Sequence, residues 1–64
     1  MNPHEHTFEF CLYIQQCGRA VPARNFTVKG EDSEDAAIAA EEKGQRICKR
    51  NKWNYGGVEC WGLV

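Results

Sequence analysis

Thr7-Phe8-Glu9-Phe10-Cys11-Leu12-Tyr13-Ile14-Gln15-Gln16 is the stretch that decides the fold. Phe8, Phe10, Leu12 and Ile14 point one way, and Glu9, Cys11, Tyr13 and Gln15 point the other. A strict period of two, carried by aromatic and branched side chains, belongs to a half-buried strand. If the phenylalanine face meets a core, Cys11 and Tyr13 look outward.

Working outward from this strand, Cys17 to Arg24 contains Gly18 and Pro22, which predicts a loop. Asn25 to Lys29 alternates again, with Phe26 and Val28 inward, and Gly30 ends this shorter second strand. A helix follows. Asp32 or Ser33 can cap it, Glu34 and Asp35 suit the positive end of its dipole, and Lys43, Arg46, Lys49 and Arg50 suit the negative end. At 100° per residue, Ala36, Ala37, Ala40, Gly44, Ile47 and Cys48 share one face. These small residues let the helix lie close to a sheet whose phenylalanines supply the missing volume. Ile38 falls on the polar face with Glu42, Gln45 and Lys49.

The helix is expected to end near Asn51. Trp53-Asn54-Tyr55-Gly56-Gly57 reads as a turn and Val58 to Val64 as a last strand, the alternative being a hairpin turned at Gly56-Gly57. The expected fold class is α+β, β-β-α-β. A right-handed crossover brings the last strand beside the first, giving a three-stranded antiparallel sheet in the order 2-1-3. One helix covers one face of that sheet.

A chain of 64 residues makes one domain, residues 1–64. At this size only about 60% of the unfolded surface can be buried, so stability is marginal. With 42% hydrophobic and 27% charged residues the chain is too apolar for disorder. A net charge of -1 is not that of a strongly basic nucleic-acid-binding domain. Met1 to His6 lacks a signal-peptide pattern, and no window spans a membrane. A cytoplasmic location with reduced thiols is therefore expected, and Asn25-Phe26-Thr27 is then a fortuitous sequon.

Four cysteines and two histidines raise the question of zinc. Structural zinc draws its ligands from close pairs, whereas Cys11, Cys17, Cys48 and Cys60 contain none. Cys48 is expected in the core and the others half-buried, with His4-Glu5-His6 solvated. Cys11 has no base and orienting group around it, and Gly56-Gly57 has no following helix to make a phosphate site. The expectation is a protein without cofactor or metal and without enzymatic activity.

Binding chemistry is better represented. Arg46, Lys49, Arg50 and Lys52 with Trp53 and Tyr55 form a basic-aromatic cluster at the helix C-terminus. Such a cluster can grip phosphates and stack bases, each stack contributing about 1–3 kcal/mol. It can equally meet an acidic protein. Helix-dipole complementarity and a tryptophan plugging the core explain the same residues without a ligand. Glu31, Asp32, Glu34, Asp35, Glu41 and Glu42 make an acidic half-helix. The uncovered sheet face carries Tyr13 and one of two apolar sets on the last strand, Trp61 and Leu63 or Val58, Cys60 and Val64. A half-apolar open face suggests association, as a homodimer or with a partner.

The run Phe26-Thr27-Val28-Lys29-Gly30-Glu31-Asp32-Ser33-Glu34-Asp35-Ala36-Ala37, continuing into the alanine-rich helix and Gly44, resembles a strand-cap-helix unit of small phage and mobile-element proteins. In size and layout the chain is similar to small anti-CRISPR proteins. That resemblance implies a non-enzymatic inhibitor, phage-encoded, that docks on a large bacterial CRISPR surveillance complex and blocks its nucleic-acid binding. No functional residue is carried over from it. The alternative is a nucleic-acid-binding accessory protein using the basic-aromatic helix end.

Overall fold

The structure, a computed structural model, describes residues 5–64, so His4 of the His4-Glu5-His6 triplet lies outside the described residues. The alternating stretch becomes β1 (His6–Gln16), and it is followed by β2 (Arg19–Gly30), α1 (Ser33–Asn51) and β3 (Tyr55–Leu63). Both pairings are antiparallel and the sheet order is β2-β1-β3, the α+β topology that the periodicity predicts.

Two expectations about the connections are corrected. The predicted loop from Cys17 to Arg24 does not exist: Cys17 and Gly18 alone turn the chain, with φ of 53° and 78°. Two consecutive positive φ values match the twist of a two-residue hairpin. Pro22 sits within β2 because this is an edge strand, and the register slips between Leu12 and Tyr13, opposite Arg24 and Pro22. A bulge at an edge is where a residue without an N–H costs least. The paired strands run on beyond the helix, and the molecule measures 42 × 20 × 15 Å.

The second correction concerns Gly56-Gly57, which lies inside β3 rather than in a turn. A Cβ on Gly56 would come 2.9 Å from the carbonyl carbon of Ile14 and 3.1 Å from the Gln15 nitrogen. Only glycine lets β3 approach β1 that closely.

The helix is fixed at both ends by its own sequence. Asp32 caps it in an extended conformation, and its carboxylate accepts the Asp35 N–H at 2.8 Å. Asp35 returns the bond by accepting the Glu31 N–H at 3.2 Å. At the other end Lys52 is left-handed (φ 58°), and the Trp53 N–H reaches back to the Cys48 carbonyl at 2.8 Å. This six-to-one closure turns Trp53 back towards the core.

Phe8, Phe10, Leu12, Phe26 and Val28 pack against Ala36, Ala40 and Cys48. Phe10 and Phe26 are cross-strand partners with ring centroids 6.2 Å apart and planes 23° apart. The helix comes close to the sheet at Gly44, where a Cβ would lie 3.0 Å from Val58 and 3.1 Å from Leu12. Ile38 stays on the exposed helix face, as its position in the helical repeat predicts. Among the described residues no helix is long and apolar enough to cross a membrane.

Leu12 is fully buried. Leu12→Ala is expected to cost about 2–5 kcal/mol. On the order of 3–10 kcal/mol holds a domain of this size together. Chemical denaturation should therefore show the variant's unfolding midpoint lowered by a large fraction of that of the parent chain. Cys17→Asn, which puts a residue tolerant of positive φ into the hairpin turn, should raise the unfolding midpoint, by roughly 0.5–1 kcal/mol.

Candidate functional site on the open sheet face

The face of the sheet away from α1 is built by the second phase of β1. Cys11 lies there between Asn25 of β2 and Glu59 of β3, and Tyr13 lies between Pro22 and Gly57. Cys11, expected outward, does lie on this side, but it is 1% exposed rather than open to solvent. Its central position explains this, since both neighbouring strands and Tyr13 crowd it. Cys17 and Cys60 also depart from the half-buried expectation, since both are exposed, while Cys48 lies in the core as expected. Among the described residues no three His, Cys, Asp or Glu side chains gather as metal ligands would.

The register between β1 and β3 shifts twice, at Gly56 between Tyr13 and Ile14 and again between Glu9 and Phe10, and the second shift shapes the face. Glu9 pairs with Gly62 and Phe10 with Cys60, leaving Trp61 as the extra residue of a bulge. Gly62, at φ 110°, absorbs the distortion. Leu63 is thereby returned to the opposite phase, facing Phe8 in the register, so the set of Trp61 and Leu63 read from alternation is split.

Trp61 meets Glu59 and Tyr13. The Tyr13 hydroxyl donates to Glu59 Oε2 at 2.8 Å, and the Trp61 Nε1–H donates to the same oxygen at 3.2 Å. Nearby on this face, Asn25 Nδ2 donates to Glu9 Oε2 at 3.2 Å. The two donors on Glu59 hold its carboxyl below the ordinary range, the tyrosine bond contributing most. In turn the bond to Glu59 is the main reason that the Tyr13 phenol is pushed up to about 12, with desolvation and the carboxylate charge adding to it. The group is thus ionised at Glu59 and neutral at Tyr13 across the physiological range. Trp61 is 56% exposed despite this anchoring, and Leu63 and Val64 continue an exposed apolar end of the strand at 67% and 77%.

The residues singled out in the sequence divide between two places. Tyr13 belongs to the open face. Arg46, Lys49, Arg50 and Lys52 are exposed around the helix C-terminus. Trp53 and Tyr55, their aromatic companions, are half-buried against the core, and the Arg24 guanidinium lies 5.7 Å from the Trp53 ring centre. Tyr55 packs beside Gly44, and its phenol is pushed up by burial and by Glu41. Glu59 was not singled out, and Trp61 was placed only by alternation. Gly62 immediately after Trp61 was the available signal of a bulge.

Comparison with known proteins finds no matching family model, curated protein or solved structure. What the site can do follows from its geometry: a fixed carboxylate, a neutral phenol and an exposed indole on one face can recognise a surface. They do not form a nucleophile with its base.

The Tyr13–Glu59 bond is testable by titration. Glu59's lowered value means that its contribution is present above the ordinary carboxylate range and is lost as acid protonates the folded protein. Tyr13's raised value means that its contribution is complete below about 10 and is lost as pH rises towards about 12. Glu59→Gln should bring one of the two tyrosines down towards its ordinary value, read from tyrosinate absorbance. Titration identical in both proteins would show that the bond does not form.

Proposed function

We propose that this chain is a non-enzymatic, protein-binding inhibitor or adaptor of the anti-CRISPR type, phage-encoded and acting in a bacterial cytoplasm. It docks its open sheet face on a CRISPR surveillance complex and blocks nucleic-acid binding there. The observation that carries this reading is Trp61: an indole more than half exposed, yet tied through Glu59 to the central strand. Tryptophan and tyrosine are the residues most often decisive in protein interfaces. Holding them rigid before binding removes part of the ordering cost of association. Glu9 and Glu59 on the same face suit a basic surface, the kind that a nucleic-acid-binding complex offers.

The nucleic-acid reading is less favoured because its stacking residues, Trp53 and Tyr55, are engaged with the core. Bases would find cations at the helix end but little free ring surface.

Titrating the chain into purified RNA-guided surveillance complexes and measuring target-DNA binding tests the proposal. Stoichiometric loss of DNA binding is expected. Trp61→Ala should weaken the effect at least tenfold, the loss of about 1.4 kcal/mol or more that an interface anchor contributes. Unchanged DNA affinity in the presence of excess chain would exclude this function.

A further inference from the structure

A second recognition surface lies on the helix side of the sheet and is independent of the open face. Between α1 and β2 runs a groove of about 440 Å³, within the size range of small-ligand sites. Thr27, Val28 and Lys29 line it from the strand, and Glu42, Lys43 and Arg46 from the helix. Lys43 and Arg46 against Glu42 leave it locally positive in a chain whose net charge is -1.

Lys43 is held in place rather than swinging in solvent. Its Nζ donates to the Thr27 carbonyl at 3.0 Å and lies 5.5 Å from the centre of the Phe26 ring. An ammonium has three donors, so two remain for a ligand after the carbonyl is satisfied. Arg46 stands one helical turn on and offers a planar fork suited to phosphate oxygens. The bond from Lys43 to the Thr27 carbonyl also occupies a backbone acceptor that an added peptide strand would compete for, which disfavours a peptide occupant.

We propose that this groove binds a phosphorylated small molecule of nucleotide size, its phosphates held by Lys43 and Arg46. A long polyanion fits less well. Beyond Lys29 the chain enters an acidic segment that leads into the first turn of α1, with Glu31, Asp32, Glu34 and Asp35, and Glu42 stands among the cations. Charge of the required sign is therefore confined to the length of one short ligand.

Calorimetric titration of the full chain with inorganic pyrophosphate and with ADP at low salt tests this, alongside amide NMR to locate the site. Saturable binding of both is expected, with shifts confined to residues 27–29 and 39–46. Lys43→Gln and Arg46→Gln should each weaken it at least tenfold, while Glu42→Gln tightens it and Arg19→Gln leaves it unchanged. Should Lys43→Gln unfold the domain, Arg46→Gln carries the comparison alone. Absence of binding at millimolar ligand would overturn the proposal. So would shifts centred on residues 49–52, insensitivity to Arg46→Gln, or affinity that grows with the length of an added oligonucleotide.

Discussion

The contact between one face of β1 and the small-residue stripe of α1 is the constraint on which everything else in this protein rests. Phe10 and Leu12 are 1% and 0% exposed, and no other pair of large side chains is as thoroughly enclosed. They can be enclosed by a single helix only because Ala36, Ala40 and Gly44 let its backbone come close. Fully burying each large side chain contributes about 1.5–3 kcal/mol, a sizeable part of what a domain of this length can muster. The one helix is committed to that face, and among the described residues no other element covers the opposite face of the sheet.

The uncovered face is nevertheless ordered, through polar contacts instead of a core. Glu59 accepts from both Tyr13 and Trp61, which ties the edge strand β3 to the central strand across 46 residues of chain. Such bonds are modest in net energy near solvent, and their main effect is on shape. They present an indole in one orientation while the carboxylate below it stays charged. A surface of this kind costs little to freeze when a partner arrives.

Charge is distributed in the same spirit. The net value of -1 conceals a carboxylate-bearing open face, with Glu9 and Glu59, and a cation-bearing groove between α1 and β2, with Lys43 and Arg46. The helix orders its own charges in the usual sense, acidic at the start and basic in the last turn, as dipole complementarity requires. That local rule accounts for Lys49 and Arg50 without any ligand.

The periodicities determined the class and the helix with its buried stripe, because repeats of two and 3.6 residues report which side chains share a face, and the handedness of the crossover then gave the strand order. Asp32 as cap and Asn51 as last helical residue were equally local matters, settled by groups within a few residues of one another. The two-residue turn at Cys17-Gly18 was not legible, since neither residue is the asparagine or aspartate that usually announces it and Pro22 argued for a loop. Nor was the fate of Gly56, which depends on how near Ile14 comes from the neighbouring strand. The bulge at Trp61 decided most, because one inserted residue moved Leu63 to the other side of the sheet and set the indole beside Tyr13 and Glu59. Pairing register is a relation between strands, and a pattern along one strand cannot contain it. For that reason the core could be named from the chain itself, whereas the composition of the exposed face was decided only when β3 settled against β1.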